Sequence, residues 1–189
     1  NVRSLNLVAP GYNGGRNQNV MQPSIRGVGS NGTSVGDESN VAVYVDGVYQ
    51  GDPYSTQIDL VEVSRVEVLR GPQGTVFGRN ATGGLVNVVT PDPQFSARGR
   101  FKASGSRTRE SANSFDISGY VTGGLTDTIA ADLAVLYRNQ DGYAVNLFNG
   151  SNVGAKETIS VRSKLLFEPS DKAKFVLTVG YVDTHEETA

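Results

Sequence analysis

The chain has 189 residues, of which 23 are glycine and 7 proline, with 38% hydrophobic side chains and neither cysteine nor tryptophan; this excludes a disulfide framework and thiolate chemistry and favours strands and loops over a thick helical core. Seventeen basic against nineteen acidic side chains leave a net charge of −2, too balanced for the one-sided positive field that nucleic-acid binding needs. No apolar run approaches the roughly 20 residues of a membrane-spanning helix, and the opening residues Asn1 to Leu7 lack the apolar centre of a signal peptide. An outer-membrane strand passes these tests unseen, because it needs only about ten residues of alternating polarity.

From Asn1 to about Phe95 the sequence is glycine-rich, with short β-branched runs at Val41 to Val45, Val61 to Leu69 and Leu85 to Val89 that read as strands. Loops dense in Gly, Asn and Ser separate them, notably Gly27 to Ser39 and Gln50 to Gln57. Pro23-Ser24-Ile25 and the stretch around Val76-Phe77 are expected to form brief helical turns. Pro91-Asp92-Pro93 then interrupts any backbone ladder, since neither proline donates a hydrogen bond. A domain boundary is placed there, giving domains 1–93 and 94–189.

Beyond it the pattern changes to five long strands of period two. Phe101 and Ala103 alternate with Arg100, Lys102 and Ser104; Phe115, Ile117 and Val121 with Asp116, Ser118, Tyr120 and Thr122; Leu133, Val135 and Tyr137 with Asp132, Ala134 and Arg138. Ile159, Val161, Leu165 and Phe167 alternate with Ser160, Arg162, Lys164 and Glu168, and Phe175, Leu177, Val179 and Tyr181 with Lys174, Thr178 and Gly180. The connections alternate longer and tighter: 106–113, 126–128, 141–155, 169–172. Long external loops and short periplasmic turns of a transmembrane barrel give this order, with Tyr143, Phe167, Phe175 and Tyr181 at the lipid interfaces. A soluble antiparallel sheet with one wet face shows the same alternation, and the strands alone leave both open.

The stretch from Val61 to Thr90, running through Val66-Glu67-Val68-Leu69-Arg70-Gly71-Pro72-Gln73-Gly74 and Gly83-Gly84-Leu85-Val86-Asn87-Val88, resembles the signature of TonB-dependent receptor plugs. Two upstream elements, Ile25-Arg26-Gly27 and Val43-Tyr44-Val45-Asp46-Gly47, stand in that family's order. The resemblance implies a mainly β chain: a small mixed α+β plug domain, then the first antiparallel strands of a transmembrane β-barrel in the bacterial outer membrane. Five strands cannot close a barrel of about 22, so the chain is expected to be part of a longer receptor. No coupling segment, or TonB box, is recognisable in Asn1 to Pro10.

The resemblance further implies active import of a scarce solute, a ferric siderophore before a vitamin or oligosaccharide, driven by a TonB-type inner-membrane energy-coupling protein, with no catalysis, metal or cofactor. By position in the motif order the ligand candidates are Arg16, Ser30, Asn31, Gln50, Asp52 and Tyr54. An arginine fork suits an anionic ligand, and Tyr49 and Tyr54 suit an aromatic or sugar face. Arg65, Glu67 and Arg70 alternate with Val66, Val68 and Leu69 on one strand. With Arg26 they are expected to lock plug to barrel, and the resemblance implies that Arg26 and Arg65 pair with barrel glutamates beyond Ala189. A passive porin or adhesin would share the later strands without needing the plug segment. An enzyme finds little support, since the single histidine, His185, sits in no zinc-binding pattern and the glycine series contains no phosphate loop.

Overall fold

A computed structural model describes residues 9–17, 20–30, 32, 37–51, 60–74, 80–107, 112–142, 144–145 and 152–187. The Val76-Phe77 stretch and Tyr143 lie outside them. The chain divides into two compact units, the first made of Asn1–Asp59 and Val63–Pro91, the second of Leu60–Glu62 and Asp92–Ala189.

In the first unit, β1 (Tyr12–Asn17), β2 (Val20–Ile25) and β3 (Val28–Gly29) form an antiparallel sheet in chain order. The expected helical turn at Pro23-Ser24-Ile25 is therefore strand. Pairing of Tyr12 with Ile25 and Gly14 with Pro23 supplies the partners that a three-residue helical turn lacks. The short β3 reaches only Ser24 and Ile25, so Pro23 has one neighbouring strand and its missing N–H is tolerated as at a sheet edge.

A second sheet has the order β5-β4-β7-β6, from β4 (Val41–Val45), β5 (Val48–Tyr49), β6 (Arg65–Arg70) and β7 (Gly84–Val89). β7 runs parallel to β4 and antiparallel to β6. As the two inner strands, β4 and β7 are covered on both faces, so Val41, Ala42, Val43 and Tyr44 are buried in succession, as are Leu85 and Val86. This is why their sequences read as continuous apolar runs. β6 starts only at Arg65, because Glu62 adopts a left-handed backbone (φ 52°) that ends extended geometry before it. Gly84 (φ 136°) admits no side chain: a Cβ there would strike the Leu69 carbonyl and lie 2.7 Å from Ile25 Cδ1.

The motif pairs Arg26-Gly27 and Asp46-Gly47 are the same device. Each has positive φ at both positions (52° and 81°; 50° and 81°), and the flanking pairs Ile25 with Val28 and Val45 with Val48 close two-residue hairpins. This double left-handed turn matches the twist of its strands and favours Asp or Asn followed by Gly.

The second unit is an antiparallel meander of β8 (Arg98–Arg107), β9 (Asn113–Gly124) and β10 (Ile129–Gln140), then a small hairpin of β11 (Ala144–Val145) and β12 (Asn152–Val153) within the long connection, then β13 (Lys156–Ser170) and β14 (Ala173–Glu186). The five long strands lie in the order β14-β13-β10-β9-β8, with neighbours in the chain paired edge to edge. The five expected strands are all present; the β11–β12 hairpin was not foreseen, since two-residue strands leave no periodic signal. Phe167 and Phe175, directly paired across the β13–β14 turn, stack at 6.2 Å between ring centres.

The burial of this sheet is inverted relative to a soluble protein. Its apolar face is exposed: Phe101 (71%), Leu177 (61%), Val179 (63%) and Tyr181 (63%), with Val121, Leu133, Ile159, Leu165 and Phe167 at 39–53%. The opposite face carries Asp132, Thr158, Arg162 and Lys164, each below 9% exposure. A soluble sheet with one wet face would bury the first set and expose the second.

Candidate functional site

In the first unit the site begins with the hairpin turn after β4. Its left-handed geometry aims the Asp46 carboxylate at the end of β7, where it accepts hydrogen bonds from the Thr90 N–H (2.8 Å) and Thr90 hydroxyl (2.6 Å). Thr90 is 1% exposed, so the carboxylate satisfies groups that would otherwise be costly to bury. Asn80, also left-handed (φ 65°), donates to Glu38 (2.5 Å) and to the Tyr49 hydroxyl (2.8 Å). The Tyr49 ring packs on Tyr44, with ring centres 5.5 Å apart. Tyr49 is thus engaged in the packing of the sheet at both ends of its side chain.

The sequence-derived ligand candidates divide among different places. Arg16 lies in β1, paired with Met21. Ser30 follows β3, and its hydroxyl accepts the Asn40 N–H at 2.8 Å. It lines a polar concavity of about 310 Å³ with Asn13, Gln22 and Ser24 over a glycine-rich floor. Gln50 is tied to its own hairpin, with its N–H on the Val43 carbonyl and its side-chain amide on the Val48 carbonyl. Asn31, Asp52 and Tyr54 lie outside the described residues.

Of the four locking candidates, Arg26 is exposed at the β2–β3 turn. Arg65 and Glu67 meet each other on one face of β6, Arg65 Nε donating to Glu67 Oε1 at 2.7 Å, while Asn87 of β7 donates to Oε2 at 2.9 Å. These two hydrogen bonds, that of Arg65 first, hold the Glu67 carboxyl below its ordinary range. Strand parity places Arg70 on the opposite face from Arg65 and Glu67, and Leu69, rather than a charge, packs against the core cluster of Ala42, Tyr44, Ala81 and Leu85.

In the second unit the polar face of the sheet holds a connected set of charges. Asp132 accepts the Lys164 backbone N–H at 2.7 Å and lies 3.5 Å from the Tyr120 hydroxyl and 3.6 Å from Arg162 Nη2. The Arg162 guanidinium is nine-tenths buried and makes no hydrogen bond among the described residues. Near the turn end of the same face, Asp92 lies 2.8 Å from Lys174 Nζ and 3.7 Å from Lys164 Nζ. The Lys174 hydrogen bond is the main reason the Asp92 carboxyl sits below its ordinary range. Arg138 and Asp116 pair across β10 and β9.

Sequence reasoning did not single out Asp46, Thr90, Asn80 or Asp92 as acting groups. Asp46 and Asn80 carried a usable signal, being Asp and Asn where the chain must turn left-handed. Asp92 carried none, because its lysine partners are more than seventy residues away. Among the described residues no His, Asp and Glu cluster could hold a metal ion, and no helix is long and apolar enough to cross a membrane.

Residues 2–85 match the family model described as the TonB-dependent Receptor Plug Domain. The pesticin receptor of Yersinia pestis is 35% identical over 173 residues, covering 89% of this chain and 24% of that protein. The ferrioxamine receptor of Yersinia enterocolitica is 24% identical over 146 residues, 75% of this chain and 19% of that one. Among solved structures, the ferric yersiniabactin uptake receptor of Yersinia pestis superposes with a TM-score of 0.77 at 30% identity, over 96% of this chain and 28% of the other. The chain thus spans about a quarter of the length of these relatives.

Proposed function

The chain belongs to the TonB-dependent receptors, and from that premise we propose that it serves energy-coupled import of a ferric siderophore across the bacterial outer membrane. The observation that carries this is the inverted sheet: an apolar face exposed and a face of buried Asp132, Arg162 and Lys164, following directly on a plug domain. Such a surface is stable where lipid meets the apolar side and polar contents meet the other. The relatives named for ferrioxamine and ferric yersiniabactin support a ferric siderophore as the solute class.

In this reading residues 1–93 are the plug that gates the channel and 94–189 open the barrel wall. A TonB-type inner-membrane protein supplies the work. Ligand meets the plug at Arg16, Ser30, Asn31, Gln50, Asp52 and Tyr54, the polar concavity beside Ser30 offering neutral hydrogen-bonding groups. Arg26 and Arg65 meet carboxylates of the wall, with Glu67 orienting Arg65, and Arg70 adds to the same lock.

The test is growth of a deletion strain under iron limitation with supplied ferric siderophores, against growth on defined sugars as sole carbon source. Loss of growth under iron limitation alone, restored by the full-length gene, is the expected result. Unimpaired iron-limited growth, or ligand-specific, energy-dependent uptake that survives removal of residues 1–94, refutes the proposal.

A further inference from the structure

The segment from Val63 to Pro91 carries β6 and β7, and both of its ends run into residues that belong to the second unit. At its start, Glu62 contacts Arg100 of β8 through one guanidinium nitrogen, 2.9 Å from one carboxylate oxygen and 3.1 Å from the other. At its end, Asp92 bridges Lys164 of β13 and Lys174 of β14.

Beyond Asp92 the chain is stitched further to the sheet. The Gln94 N–H donates to the Thr122 hydroxyl at 2.8 Å, and the Gly124 N–H donates to the Phe95 carbonyl at 3.0 Å. Gly124 leaves room for this approach, since a Cβ would lie 3.0 Å from the Phe95 oxygen. Pro91 and Pro93 restrict the backbone on either side of Asp92. Residues 92–95 thus cross the polar face of the sheet from β14 and β13 to β9, and three charged partners on three strands, Arg100, Lys164 and Lys174, hold the two acids.

We propose that Glu62 and Asp92 are positioning residues that anchor both ends of segment 63–91 to the barrel wall, so that work done on the plug is resisted at these two points and the channel stays gated. This rests on the import reading. An ion pair resists a pull only while both partners are charged and in reach, so neutralising the acids preserves side-chain size while releasing the anchors.

The experiment uses the full-length receptor in cells with and without the energy-coupling protein, carrying Glu62→Gln, Asp92→Asn and the double substitution. Influx of vancomycin, a large hydrophilic antibiotic, is the probe, and heat-modifiable band shift measures assembled receptor. The double variant is expected to assemble normally and to admit vancomycin about 2- to 30-fold faster than wild type, the range that loss of two partly exposed ion-pair anchors gives, only where the coupling protein is present. Arg100→Gln combined with Lys174→Gln, which removes two of the three opposite partners and leaves only Lys164 at 3.7 Å, is expected to reproduce a smaller leak and serves if the acid variants assemble poorly.

Influx equal to wild type in both strains overturns the proposal, as does a leak of the same size without the coupling protein, which marks a mere packing defect. Iron-limited growth on the wild-type receptor is measured alongside. If that growth is intact and no coupled leak appears, the anchors are wrong and import stands; if that growth is absent, the import reading fails and the anchors with it.

Discussion

Replacing Asp46 by alanine removes the acceptor of two hydrogen bonds to Thr90, at 2.8 and 2.6 Å, where Thr90 is 1% exposed. Hydrogen bonds to a charged group are worth about 1.5–3 kcal/mol each, with the larger loss when the orphaned partner is buried. Alanine must also adopt the left-handed φ of 50°, at a further cost of about 1–2 kcal/mol. These contributions overlap, so the local stability of the β4–β7 pairing is expected to fall by about 3–5 kcal/mol. At 1.4 kcal/mol per decade this is a drop of roughly 100- to 3,000-fold in amide-exchange protection. The assay is native-state hydrogen exchange by mass spectrometry on the full-length protein, following peptides that cover residues 41–49 and 84–90. Asp46→Asn tolerates the same backbone and keeps one carbonyl acceptor, so it is expected to lose only about 1–2 kcal/mol. Asp46→Ala combined with Thr90→Val should be clearly less than additive, because the two share one interaction. Protection in Asp46→Ala within threefold of wild type would refute the reasoning, showing that the carboxylate stabilises nothing the sheet needs.

Two further outcomes follow from burial. Val179 is 63% exposed on the apolar face and Thr178 lies beside it on the other; Val179→Arg is expected to cost about 2–4 kcal/mol in lipid and Thr178→Arg far less, read as refolding equilibria of the full-length protein in vesicles, whereas near-zero effects of both would indicate a sheet that faces water. The Tyr12 hydroxyl is buried without a hydrogen bond among the described residues, and burial pushes its pKa up to about 12. The unfolded chain therefore loses this proton first, and stability falls as pH rises from about 10 to about 12, by about 2–3 kcal/mol. Tyr12→Phe should be neutral or slightly stabilising at pH 7 and should abolish one late-titrating tyrosinate in an absorbance titration; a Tyr12 that ionises at the ordinary value contradicts its burial.

What could be read before any coordinates was whatever repeats within a few residues. The period-two alternation from Phe101 to Tyr181 marked the strands of the meander, and Asp46-Gly47 marked a turn, because each depends on local backbone geometry. The runs at Val41 and Leu85 announced strands but not that β7 would lie parallel to β4 with β6 beyond it. Pro23 misled because its local preference was outweighed by pairing with β1. The direction in which the alternating faces point was equally hidden: a period of two separates the faces without saying which one meets the surroundings. Only assembled strands show Phe101 and Val179 outward and Asp132 and Lys164 covered. The same holds for Asp92, whose partners lie on strands distant in the chain. Local chemistry fixes the conformation of a few neighbouring residues, whereas burial and charge pairing are sums over groups that only folding brings together.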